Sequence, residues 1–261
     1  MTGSLSVLLT NDDGIDAPGL EAVYDRLSET HDVTVVAPEE NQSGTGQTRS
    51  WGEVEYDERH HGYAVKGTPA DCVAIGVAAL DVDPDIVVSG CNDGPNIGAH
   101  ILARSGTIGA AMEASFLNYP AIAVSMYDWE YTPGDRYEPT YPTFETAADA
   151  VHDLLPGFVE DDFLPTADYL TVNAPATGQT ENNVYRVTRP TQEYELEAEF
   201  TEQGVNVNDK FWNELFERDV PDPEGTDRRA VVDDEISVSP LTAPHDVAPG
   251  ATAGGLVDIQ K

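Results

Sequence analysis

From Leu5 to Val172 the sequence alternates short apolar runs with stretches whose apolar residues recur at helical spacing, and such a chain folds as an α/β protein on a mostly parallel sheet. Leu5–Thr10, Asp32–Ala37, Asp85–Gly90, Ala121–Met126 and Tyr169–Val172 are continuous apolar runs of the kind that is covered on both faces. Between them, Leu20, Val23, Tyr24 and Leu27 mark a one-faced helix over Gly19–Thr30. The run Pro69–Leu80 is apolar in nearly every direction, which predicts a helix buried on most of its surface. Phe144, Ala147, Ala148, Val151, Leu154 and Leu155 mark an amphipathic one. Ser50–Lys66 predicts a hairpin with His60-His61-Gly62 at its tip. Helices on both faces of the sheet make three layers, and this core is expected to span residues 1–178.

After Gln179 the pattern changes to short polar β segments at Tyr185–Thr188, Tyr194–Phe200 and Ala230–Val238. A proline- and acid-rich loop covers Val220–Asp227, a short helix is expected around Phe211–Phe216, and a loose tail follows. Residues 179–261 are therefore expected to form a C-terminal extension rich in hairpins. Apolar strands that cannot bury themselves alone point to a subunit interface there.

Charge narrows the partners. The chain has 13 basic and 48 acidic residues, a formal charge of -35, and its lysines are Lys66, Lys210 and Lys261 alone. Self-repulsion on that scale opposes a compact state in dilute buffer. In molar salt the Debye length shrinks to about 3 Å and the repulsion is screened, so a salt-rich cytoplasm, as in a halophile, is the expected setting. There is no basic stripe to neutralise phosphates, which excludes nucleic acid. No apolar run reaches membrane-spanning length, and the opening MTGSLSVLLTNDD reads as a strand rather than a signal peptide. A cytoplasmic location and two reduced cysteines, Cys72 and Cys91, follow as expectations.

The chemistry is expected at the carboxyl ends of the strands, where loops and helix N-termini converge. The first strand delivers Asn11, Asp12 and Asp13 into a glycine-closed turn. Adjacent ionised carboxylates repel, so such a pair points to a divalent cation between or above them; Asn and Asp are also ordinary turn residues, and Asp16-Ala17-Pro18 also suits a simple helix start. Ser43 lies after the second strand, and Asn92 and Asn96 follow the strand ending at Gly90. Asp12, Asp13, Ser43 and an amide oxygen of Asn92 or Asn96 would together offer hard oxygen donors suited to magnesium, manganese or calcium. Ser105-Gly106-Thr107 opens a predicted helix, either as a phosphate cradle or as a plain serine cap with a glycine for close packing. A cation beside a phosphate cradle suggests phosphoester hydrolysis.

TNDDG at Thr10–Gly14, SGTG at Ser43–Gly46, GTPADC at Gly67–Cys72, SGCNDGPNIG at Ser89–Gly98 and SGT at Ser105–Thr107 together resemble the SurE family. The resemblance covers residues 5 to 175. It implies a Rossmann-like α/β core and a divalent-metal-dependent 5′-nucleotidase that hydrolyses nucleoside 5′-monophosphates with one Mg2+ or Mn2+ per subunit. It places metal ligands at Asp12, Asp13, Ser43 and Asn92, catalysis at Asp12 and Asp13, and phosphate contacts at Asn96, Ser105, Gly106 and Thr107. By the same analogy a homodimer or homotetramer is expected. His100 matches no motif of the family. Two other readings stand beside this one: a phosphotransfer domain, which normally needs a lysine late in the sheet, and a metal- or nucleotide-binding module without turnover.

Overall fold

The computed structural model describes residues 3–130, 139–159, 166–180 and 183–243. Its frame is a nine-stranded sheet. The parallel centre consists of β1 (Ser6–Thr10), β2 (Asp32–Pro38), β5 (Ile86–Asp93), β6 (Ala121–Tyr127) and β7 (Tyr169–Pro175), in the order β2-β1-β5-β6-β7. The hairpin β3 (Tyr56–Arg59) and β4 (Gly62–Val65) extends the β2 side, with Arg59 paired to Gly62 so that His60 and His61 form its tip, as the sequence predicts.

Side-chain alternation along the strands explains the layering. In β1, Val7 and Leu9 join one core while Leu8 joins the other, and all three are fully buried. The first core is covered by α1 (Pro18–Ser28) and α5 (Glu145–Val159), and the second by α2 (Pro69–Ala78) and α4 (Gly106–Phe116). Each buried Val or Leu of these strands contributes about 1.5–3 kcal/mol relative to exposure. The helix starts follow their sequence signals: Thr68 and Asp71 form a reciprocal capping box on α2, with Pro69 in the first turn.

The part beyond residue 179 does more than extend the fold. β11 (Ile236–Leu241) pairs antiparallel with β7, and β8 (Tyr185–Val187) adds a parallel edge strand beyond it, so both belong to the main sheet. A separate hairpin consists of β9 (Leu196–Phe200) and β10 (Val205–Asp209), and α6 (Lys210–Phe216) follows it directly.

The expected strand Ala230–Val238 requires correction. Its first half is the end of a short helix, α7 (Asp227–Val232), and only from Ile236 does the chain become strand. Val231 and Val232 are buried there against Phe211, Leu215 and Ile97, in a third small core that locks α6 and α7 to the loop after β5. The loose tail from 244 onward lies outside the described residues.

Candidate active site

Backbone geometry at the end of β1 sends two neighbouring carboxylates different ways. The Asn11 amide closes the turn from both sides, donating from Nδ2 to Gly14 O at 2.8 Å and accepting from Gly14 N at 3.3 Å. Gly14 has φ +109°, a conformation that glycine adopts without strain. Asp12 turns to α4: its Oδ1 accepts from Thr107 Oγ1 at 2.6 Å, and a Cβ on Gly106 would lie 2.8 Å from Asp12 Cβ. Asp13 turns to the end of β5, where Oδ2 accepts from Asp93 N at 3.0 Å and Oδ1 from Asn41 Nδ2 at 3.2 Å.

The loop after β2 is tied to the same turn. Gln42 N donates to Asp12 O at 2.6 Å, Ser43 N to Asn41 Oδ1 at 2.9 Å, and Gly46 N to Arg104 O at 3.1 Å. Gly109 completes the fit, because a side chain there would strike the carbonyl oxygen of Gly46.

These elements border a cavity of about 620 Å³. Asp12, Ser43, Asn92, Asn96 and Ser105 line it, so five of the sequence-predicted residues, drawn from four separate segments, meet at one space. Asp13 lines an adjoining cavity instead, and Asp93 lines both. Thr107 is fully buried with its hydroxyl committed to Asp12. Ser105 caps α4 by accepting from Ile108 N at 3.2 Å. Asn96 is held by a reciprocal pair of bonds with the Asn173 amide and donates to Ser125 Oγ at 2.9 Å. His100 stacks on Tyr194 with ring centroids 3.7 Å apart and is not among the residues lining the cavity. His60 and His61 border a different cavity beside Tyr24.

Electrostatics at the turn are unbalanced. Burial raises the Asp12 carboxyl above its ordinary value, against the opposing effect of the Thr107 hydrogen bond. Burial and the neighbouring Asp12 charge push Asp13 up to about 7, and burial together with Asp128 raises Asp93. Among the described residues no lysine or arginine pairs with Asp12 or Asp13, and Lys66 and Lys210 are engaged with Glu55 and Glu195. The donors that remain, carboxylate oxygens, the Ser43 hydroxyl and the Asn92 amide, whose Nδ2 is occupied by Gly94 O at 2.5 Å, are hard oxygens. This donor set is of the hard kind that suits a divalent cation such as magnesium or manganese.

The sequence assigns no role to five contributors. Asn11 and Asn41 shape the turn, and Asp93 supplies the amide that holds Asp13. Trp129 and Trp212 line the cavity from the turn after β6 and from α6. Only the position of Trp129 just beyond a strand's carboxyl end was a signal available without coordinates.

The family model described as Survival protein SurE matches residues 7–197. The chain is 46% identical over 258 residues to a protein named 5′-nucleotidase SurE from Natronomonas pharaonis, covering 97% of this chain and 99% of that one. It is 50% identical over 240 residues to 5′-nucleotidase SurE of Halobacterium salinarum, covering 92% of each. Among solved structures, the SurE protein of Aquifex aeolicus superposes with a TM-score of 0.76 at 30% identity, over 92% of this chain and 94% of that one. Fold and site together define a Rossmann-like, mostly parallel α/β protein with a carboxylate-bearing cavity at the carboxyl edge of its sheet. The chain belongs to the SurE family. Its acidic composition agrees with these first two relatives, which come from halophilic archaea.

Proposed function

We propose that this protein is a divalent-cation-dependent 5′-nucleotidase that hydrolyses nucleoside 5′-monophosphates to nucleoside and phosphate. The observation that carries the reading is the pair of adjacent carboxylates, buried Asp12 and half-buried Asp13, left without a cationic side chain beside the N-terminus of α4. The names of the relatives from Natronomonas pharaonis and Halobacterium salinarum support the substrate class.

Asp12, Asp13, Ser43 and Asn92 would hold Mg2+ or Mn2+, which when bound supplies a water of lowered pKa and offsets negative charge on the transferring phosphoryl group. Thr107 keeps the Asp12 carboxylate in one orientation, and Asn41 with the Asp93 amide does the same for Asp13. Ser105, which lines the cavity at the start of α4, would meet a phosphate oxygen there, whereas the backbone groups of Gly106 and Thr107 and the Thr107 hydroxyl are turned to Asp12 and would act on phosphate only through it. Asn96, rigidly held and lining the same space, would orient the substrate from the β5 side.

The protein acts in the cytoplasm as a homo-oligomer in this reading. No helix among the described residues is long and apolar enough to cross a membrane. Val187 and Phe200, 68% and 84% exposed on β8 and β9, form apolar surface that a second copy would cover. Incubation of the purified chain with AMP and Mn2+ in molar KCl, against an EDTA control, is the direct test. Phosphate release that needs the cation is expected; none in either arm would leave a binding module without turnover.

A further inference from the structure

We propose that the aromatic part of the cavity is a nucleobase slot in which Trp129 stacks on the planar heterocycle, with Trp212 and Phe216 of α6 as a second aromatic wall. This rests on the nucleotidase reading, and names the part of the substrate that the carboxylate end leaves unrecognised. All three rings line the cavity that also holds Asp12, Asn92 and Ser105. A stacking platform must be held still, and Trp129 is. Its Nε1 donates to Asp234 Oδ1 at 2.7 Å, Tyr127 meets it edge-on at 5.5 Å, and the Arg218 guanidinium lies 4.6 Å from the ring centroid. Arg218 is not among the residues lining the cavity.

The second wall is equally braced. Trp212 lies near parallel to Phe216 and is met edge-on by Phe211 at 5.4 Å. Beneath α6, the buried Arg228 donates to Phe211 O at 2.6 Å and to Glu214 at 2.7 Å, which fixes the helix that carries Trp212. The charge of the chain supplies a reason for such a slot. In molar salt, attraction between a phosphate and its site is screened, whereas base–aromatic stacking keeps its strength. Among the described residues Arg104 is the one basic side chain lining this cavity, beside the acidic Asp12, Asp93 and Asp128. Affinity for a nucleotide in that setting must come largely from the base.

The test compares AMP with ribose 5-phosphate, which carries the same phosphate end without a base, in wild type, Trp129→Ala, Trp129→Phe and Trp212→Ala. The ratio of kcat/KM for AMP to that for ribose 5-phosphate is expected to fall roughly tenfold or more in the alanine variants, mainly through KM, and to be largely kept in Trp129→Phe. Quenching of tryptophan emission by adenosine, measured without metal, is expected in wild type and weakened in both alanine variants. An unchanged ratio in folded Trp129→Ala and Trp212→Ala, checked by circular dichroism, would overturn the slot, as would adenosine that leaves the emission unmoved. If wild type turns over neither phosphate ester, the nucleotidase reading fails while the adenosine titration still decides the slot.

Discussion

The hydroxyl of Thr107, fully buried in the first turn of α4, donates at 2.6 Å to Oδ1 of Asp12 at the end of β1. One residue thereby couples the helix proposed to hold phosphate to a carboxylate proposed to hold the cation. Removing the hydroxyl while keeping the shape, in Thr107→Val, is expected to lower Mn2+ affinity or turnover by about 10- to 100-fold, the usual cost of losing a partner that orients a ligand. Thr107→Ser should retain most of both. Calorimetric Mn2+ titration beside steady-state kinetics checks this.

Asp12→Asn and Asp13→Asn are each expected to abolish AMP hydrolysis while far-UV circular dichroism and the unfolding transition remain those of a folded protein. Both substitutions nearly preserve volume and remove one carboxylate, buried at Asp12 and half-buried at Asp13. Wild-type turnover in both variants would refute the site.

Asp13 also gives the metal-free protein a pH dependence whose sign is fixed. Its carboxyl is pushed from 3.8 in the free side chain to about 7 in the fold, so between these values the folded chain keeps a proton that the unfolded chain has released. That contribution to stability is complete below the lower value and is lost as pH rises through the upper one. The thermal midpoint of EDTA-treated protein is therefore expected to fall between about pH 4 and about pH 7, with a shallower fall in Asp13→Asn. Protons compete with the cation for the same oxygens, so Mn2+ should bind roughly tenfold more weakly at about pH 6 than at about pH 8.

Gly109→Ala should disturb the site from a distance. Its new methyl meets Gly46 O in the loop that carries Ser43. Overpacking of this kind costs about 1–3 kcal/mol, and displacing Ser43 by even an ångström is expected to reduce turnover on the order of a hundredfold. Denaturant titration and kinetics separate the two effects.

Salt should raise stability and activity together. With a formal charge of -35, both the folded state and an anionic substrate experience repulsion that is screened only when the Debye length falls to about 3 Å, near molar salt. Activity that peaks in dilute buffer and declines toward molar KCl would count against this.

The central sheet was legible because its strands are covered on both faces and appear as unbroken apolar runs, and the hairpin because His60-His61 separates two short alternating segments. Where an element is shorter than two helical turns, periodicity has nothing to repeat. α7 is six residues long, and its Val231-Val232 pair favours β structure until the third core claims it. Asp12, Ser43 and Asn96 were found because each stands in a polar loop at a strand end; Asn92, expected beyond a strand ending at Gly90, lies in the last residues of β5, which runs on to Asp93. Thr107 as the partner of Asp12, Asn41 as the brace of Asp13 and the company of Trp129 with Trp212 depend on contacts between distant segments, which no local pattern encodes.

Arg228 lies buried between Asp222, Glu214 and the face of Phe211, and its loss to alanine is expected to cost about 3–5 kcal/mol by stranding the carboxylates. Because that one guanidinium secures α6, the wall carrying Trp212 and the loops carrying Asp12, Ser43 and Asn92 are set by different parts of the chain. Selection acting on the late helices can alter what the cavity prefers to accept and leave the early loops, and whatever reaction they perform, as they were.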